Sequence, residues 1–237
     1  MAPTAAVGII CKAPRPGATK TRLAAMIGGD MATKLSACFL HDVAACIEQV
    51  PQRVGRKGYG VYAPAGAEAE MRRLLPPSFD LLLQADASLG KVLYGATDEL
   101  LAQGHDCVLL VNGDSPTLAT EFVLDAIDRL RQPGDRLVLG PASDGGYYLI
   151  GLKRPHRRLF ADIPWGTDAV ARLTLERASE IKLESSLLPE WYDVDDAETF
   201  EWLRDELSER STRLTCGGDA PVTRAFLSSI AVAASQS

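Results

Sequence analysis

Apolar positions along the chain fall into two kinds of block. Short apolar runs at 5–11, 58–63, 79–84, 106–112, 136–140 and 146–151, with a weaker one at 181–187, predict β-strands. Longer stretches at 30–48, 65–74, 89–103, 118–131, 167–179 and 196–209 predict helices. In the stretch 118–131, Leu118, Phe122, Ile127 and Leu130 fall near one face. The run Cys107-Val-Leu-Leu-Val111 is apolar without alternation, as expected of a central strand covered on both sides. Strands alternating with helices predict a three-layer α/β/α sandwich around a mostly parallel sheet of about seven strands. Residues 136–151 break the alternation, because two strands flank a loop with no helix, which predicts an antiparallel insertion. One domain is expected over 1–210. The segment 211–237 changes character, and its apolar run Ala225–Ala234 reads as a tail or a docking helix, on the domain or on a partner.

Composition narrows the function classes. The 237 residues are 46% hydrophobic and 24% charged, enough for a sizeable core. A net charge of −6 argues against a nucleic-acid binder. Cysteines 11, 38, 46, 107 and 216 are odd in number and lack a C-x-x-C spacing, so they read as buried thiols of a reducing compartment. No apolar run reaches the ~18 residues of a membrane span. The first residues lack the charged region and cleavage site of a signal peptide. The expectation is a cytoplasmic protein, with a homo-oligomer left open.

The first candidate site is the segment Lys12-Ala-Pro-Arg15-Pro-Gly17-Ala-Thr-Lys20-Thr-Arg22-Leu23. It sets four cations on a Pro/Gly-rich loop after the first strand. Ligands of open α/β sheets bind at the carboxyl ends of the strands, where backbone N–H groups and a helix N-terminus favour anions. Lys12, Arg15, Gly17, Lys20 and Arg22 are the expected phosphate-binding residues. The alternative is a solvated basic turn. Neither G-x-x-x-x-G-K-[ST] nor G-x-G-x-x-G is present, which argues against a P-loop NTPase and an NAD-dependent dehydrogenase.

The acidic candidates come later in the chain. Asp114, in Asn112-Gly-Asp-Ser-Pro116, ends the central strand and suits Mg²⁺ or Mn²⁺, or else caps the following helix or closes an Asx-turn. Asp144-Gly145-Gly146 is either a tight turn or a close backbone approach to ligand beside a carboxylate. In Asp193-Val-Asp195-Asp196, one acid could be a second metal ligand and another the cap of the helix behind it. Asp195 is the expected ligand and Asp193 the fallback. Trp165, in Trp165-Gly-Thr167, is either core or a stacking surface for a sugar or base.

These segments, in this order, resemble a bacterial glycosyltransferase-like family with the nucleotide-diphospho-sugar transferase (GT-A-like, Rossmann-like) fold. Its segments K-x-P-x-P-G-x-x-K-T-R-L, G-x-D-x-P, P-x-x-D-G-G-Y-Y, W-S-T and D-V-D correspond to Lys12–Leu23, Asn112–Pro116, Pro141–Tyr148, Trp165–Thr167 and Asp193–Asp195. The likeness covers about residues 5–205. The first block also looks like that of guanylyltransferases acting on small phosphorylated acids, and the fold is shared with molybdopterin-type nucleotidylyltransferases. The chain departs from the pattern at three places. Ala87-Ser88 stands where the family has Gly-Asp, Asn112-Gly113 replaces Gly-Thr/Ser, and Asp196 replaces Thr.

The resemblance implies a metal-dependent transferase that brings a nucleotide or nucleotide-sugar donor to a small-molecule acceptor. Asp114 and Asp144 would be catalytic, Asp114 and Asp195 would hold the metal, and Gly145, Gly146 and Trp165 would contact substrate. Glycosyl transfer is the leading reading and nucleotidyl transfer the alternative. A serine esterase built on Gly113-Asp-Ser115 and a non-catalytic nucleotide-binding module are the remote ones.

Overall fold

The computed structural model describes residues 4–17, 20–208 and 217–234. Cys216, the boundary near 210 and loop residues 18 and 19 therefore lie outside the described residues. Seven strands form one sheet: β1 (Ala5–Lys12), β2 (Arg56–Ala63), β3 (Asp80–Leu83), β4 (Cys107–Asn112), β5 (Arg136–Pro141), β6 (Tyr147–Leu152) and β7 (Glu184–Leu187), in the order β3-β2-β1-β4-β6-β5-β7. All pairings are parallel except those of β6, which runs antiparallel to both β4 and β5. The antiparallel insertion expected from residues 136–151 is this strand.

Among the described residues eight α-helices surround the sheet: α1 (Thr21–Ile27), α2 (Gly29–Gln49), α3 (Glu68–Leu74), α4 (Leu89–Ala102), α5 (Thr120–Arg131), α6 (Val170–Glu180), α7 (Ala197–Leu207) and α8 (Pro221–Ala234). Strand alternation sorts the core into two layers. Val7, Ile9 and Cys11 of β1 join Leu35, Phe39, Phe122, Trp191 and Phe200 on one face. On the other face Ala6 packs with Leu93, Leu100, Leu159 and Phe160. The sandwich predicted from the alternation of elements is thus the observed architecture.

Two local features depart from the expected elements. A short helix, α1, precedes the long one, because Gly28 at φ 86° ends α1 and starts α2. Such a backbone suits glycine, which has no Cβ to clash. The second predicted helix, expected from residue 65, starts only at Glu68, behind Pro64 and Gly66.

The apolar run near the C-terminal end forms α8, which packs on α2. The buried Asp42 of α2 accepts the backbone N–H groups of Val222 and Thr223 at 3.0 and 2.8 Å. A carboxylate on two first-turn N–H groups satisfies donors that have no partner within the helix.

A candidate nucleotide site at the carboxyl edge of the sheet

β1 connects toward β2 on one side, while β4 lies on the other, so the strand order reverses between β1 and β4. Ligands of open α/β sheets lie at such a point, outside the carboxyl ends. A cavity of about 450 Å³ opens there, lined by Lys12 and Lys20, by Asn112 to Asp114, by Asp195, and by Ser36, Gln84 and Leu89.

Lys20 is the centre of the site. It sits at the start of α1 in the left-handed region, φ 51° and ψ 44°. That conformation costs a non-glycine residue on the order of 1 kcal/mol or more. Its side chain is only 3% exposed, and its ammonium lies 2.8 Å from Asp114 and 2.7 Å from Asp195. Burial pulls the Lys20 pKa down, but the charges and hydrogen bonds of Asp114 and Asp195 outweigh it, and the net shift is upward. Arg22, largely exposed, reaches the other oxygen of Asp195 at 3.0 Å.

The D-V-D segment divides its work. Asp196 accepts the Thr199 N–H at 3.0 Å and Thr199 Oγ1 accepts the Asp196 N–H, a capping box on α7. The Thr199 N–H holds the Asp196 carboxyl below its ordinary range. Asp195 is thereby left to the cleft. The Val194 N–H donates to the Asp114 carbonyl at 2.9 Å and fixes this segment beside the end of β4. Burial, then the charges of Asp195, Asp144 and Asp114, push the Asp193 carboxyl up to about 7, with Lys20 opposing. Asp114 caps nothing: α5 starts after Ala119, with no side-chain cap.

The other expected site residues are placed differently. Arg15 is drawn away by Glu70 of α3, which accepts from its Nε and its terminal nitrogen at 3.1 Å each. Lys12 lines the cavity with no ion-pair partner among the described residues. Gly17, at φ 75°, has open space around its Cα. Asp144 accepts the Gly146 N–H at 2.8 Å, so its carboxylate anchors its own turn, and neither it nor Gly145 and Gly146 lines this cavity. Gly145, at φ 84°, leaves no room for a Cβ, which would stand 2.1 Å from the Asp168 carbonyl oxygen. The glycine pair therefore packs this turn against the start of α6, where the Ala171 N–H also donates to the Gly145 carbonyl at 2.9 Å. Trp165 is half-buried on the other side of α4, edge-on to Tyr147 at 6.3 Å, and does not line this cavity.

Ser115 is 1% exposed and donates to Asn112 at 2.9 Å, while His156 lies against Asp135 at 2.8 Å. A serine nucleophile needs a histidine beside it, so the esterase reading is corrected.

Two cavity residues were not expected. Gln84, just beyond β3, donates its amide to the carbonyls of Cys11 and Val61 at 2.9 and 2.7 Å. Its place at the end of a parallel strand was the available signal. Ser36, 6% exposed on α2, has a hydroxyl with no partner among the described residues. A serine on the apolar face of an amphipathic helix marks such a position.

Two carboxylates that already share one buried cation are hard oxygen donors of the kind that hold Mg²⁺ or Mn²⁺ together with substrate phosphates. Among the described residues no group of three His, Cys, Asp or Glu side chains forms a metal site by itself. The remaining ligands of such an ion would come from substrate and water. Among the described residues no helix is long and apolar enough to cross a membrane.

Comparisons with known proteins agree with this fold. A protein of Desulfovibrio desulfuricans G20, described provisionally as a nucleotide-diphospho-sugar transferase, superposes with a TM-score of 0.83 at 28% identity, covering 96% of this chain and 95% of that one. A CMP:2-keto-3-deoxy-manno-octonic acid synthetase complexed with CTP superposes at 0.57 and 12% identity, covering 88% of this chain and 100% of its own. Glucosyl-3-phosphoglycerate synthase from Mycobacterium tuberculosis, bound to Mn²⁺, UDP and glucosyl-3-phosphoglycerate, superposes at 0.52 and 11%, covering 87% and 77%. The last two likenesses are of fold alone. No curated protein matches the chain. The family described as "Uncharacterized protein conserved in bacteria (DUF2064)" matches residues 46–167, just over half of the sequence. The chain therefore belongs to the DUF2064 family and carries the fold of the nucleotide-diphospho-sugar transferases.

Proposed function

We propose that this chain is a divalent-metal-dependent glycosyltransferase, one domain over about 1–210 with α8 docked on it, using a nucleotide-sugar donor. The observation that carries the reading is Lys20 between Asp114 and Asp195 at the switch point, with Arg22 and Lys12 beside it. In the reaction an acceptor oxygen forms a bond to the anomeric carbon as the bond to the nucleoside diphosphate breaks. Negative charge gathers on the leaving diphosphate, and Lys12, Lys20 and Arg22 are placed to neutralise it. Asp114 and Asp195 would hold Mg²⁺ or Mn²⁺, which when bound adds positive charge at the same phosphates. Asp193, whose raised pKa of about 7 makes its ionised form a stronger base than an ordinary carboxylate, and Asp144 are the carboxylates that could take the acceptor's proton.

One observation favours nucleotidyl transfer as a second reading. Lys12 reaches the cavity without an acidic partner and would suit a third phosphate, as in a nucleoside triphosphate. A thermal-shift panel of nucleoside triphosphates and nucleotide sugars, with Mn²⁺ or with EDTA, tests both readings. Glycosyl transfer expects nucleotide sugars to raise the Tm with Mn²⁺, and nucleotidyl transfer expects pyrophosphate release from a triphosphate. Asp114→Asn should abolish the Mn²⁺ effect, and its survival would remove the two-carboxylate assignment.

A further inference from the structure

A second cavity, of about 370 Å³, lies across the first turn of α4 from the nucleotide cleft. Leu89 lines the cleft, whereas Ser88, Gly90 and Lys91 line the second cavity, so that turn is their shared wall. The rest of the lining includes Tyr94, Arg157 and Phe160. Two of these groups are cations without a counter-charge. Among the described residues neither Lys91 nor Arg157 has a carboxylate within ion-pair distance, while the adjacent Arg158 is held by Asp162 at 3.0 Å and Glu180 at 2.7 Å. The Arg157 guanidinium instead lies 5.1 Å above the Tyr94 ring, and that ring meets Phe160 edge-on at 6.4 Å. Stacking on an aromatic fixes the guanidinium plane and leaves its N–H edge available. The α4 turn between the cavities has no acidic residue, and Ser88 makes no side-chain cap.

We infer that this cavity binds the anionic head group, carboxylate or phosphate, of the small-molecule acceptor, with Lys91 and Arg157 as its ligands. The inference rests on the transferase reading for the word acceptor, while the anion site itself stands on the cavity and its cations. The shared wall would bring an acceptor held there up to the donor cleft.

The test is a titration of the ¹⁵N-labelled protein with inorganic phosphate and, separately, malonate, following the Leu89, Gly90 and Lys91 amides. Wild type and Arg22→Gln should show saturable shifts at these amides. In Lys91→Gln/Arg157→Gln the apparent affinity should fall at least tenfold. Both side chains are exposed, so a dispersed spectrum will confirm that the variant is folded. Tighter binding of phosphate or of malonate identifies the head group. Absent shifts in wild type, or equal shifts in the double variant, would overturn the inference. Binding of UDP and CTP with Mn²⁺ is measured on the same samples. If neither binds while the Gly90 shifts persist, the transferase reading fails and the anion site survives.

Discussion

The Lys20 ammonium lies 2.7 Å from Asp195, a residue 175 positions further along the chain, and it is almost completely buried there. It holds two carboxylates together at the place where a donor's phosphates would arrive. Lys20→Met leaves Asp114 without its ion-pair partner and Asp195 with Arg22 alone. The expected cost is about 1–2 kcal/mol, a Tm drop of roughly 2–8 °C for a domain of this size. Mn²⁺ should restore more of the Tm in the variant than it adds to wild type, since the ion then has no resident cation to displace. Melts in EDTA and in Mn²⁺ check this, and an equal Mn²⁺ increment in both proteins would count against it.

Arg15, on the loop after β1, and Arg22, in the first turn of α1, differ in engagement. Arg22 is 68% exposed beside Asp195, whereas Arg15 is held by Glu70. Arg22→Ala should weaken nucleotide binding by about 1.5–3 kcal/mol, the usual size of a hydrogen bond to a charged group. Arg15→Ala should change it by less than about 0.5 kcal/mol. Calorimetry on both variants decides, and a larger loss for Arg15 would reverse the assignment.

Asp193 makes stability depend on pH. Its carboxyl titrates at about 7 in the folded chain against an ordinary 3.8, chiefly because it is buried. A carboxyl whose pKa rises on folding favours the folded state below its unfolded pKa. That contribution is lost as pH climbs from about 4 to about 7. Asp193→Asn keeps the neutral form throughout. In EDTA its stability relative to wild type should increase by on the order of 2–4 kcal/mol between pH 4 and pH 8. A flat difference across that window in denaturant melts would exclude the shift.

Asp42 ties α8 to α2 through the N–H groups of Val222 and Thr223. Asp42→Ala leaves both donors without a partner, at an expected cost of about 1–3 kcal/mol. Hydrogen exchange should then accelerate at least fivefold in the α8 amides while β1 and β4 keep their protection. Uniform acceleration would mean that Asp42 supports the whole core instead.

The central strands were legible because burial on both faces demands an unbroken apolar run, and Cys107–Val111 has nothing else to satisfy. The cationic loop and Asp114 were legible because strand ends and ligand edges coincide. Which aspartate caps α7 was not. Both are aspartates able to cap α7, and only the fold sends one to Thr199 and the other to Lys20. Arg15 escaped for a similar reason, since its partner Glu70 stands 55 residues away. Trp165 could be read as core or as a stacking surface, and its packing edge-on to Tyr147 depends on the strand reversal at β6.

That reversal has a consequence for how the cleft can diversify. Val111 pairs with Leu149 and Val108 with Leu152, so β6 begins beside the end of β4. The segment 142–146 is therefore the tip of a hairpin, whereas the segment after β1 is a loop that must lead into a helix. A hairpin tip can lengthen or shorten without resetting the register of any helix behind it. The edge of the sheet next to the cleft can thus be remodelled, while the cleft wall built on Lys20 and Asp114 stays fixed by the strands beneath it.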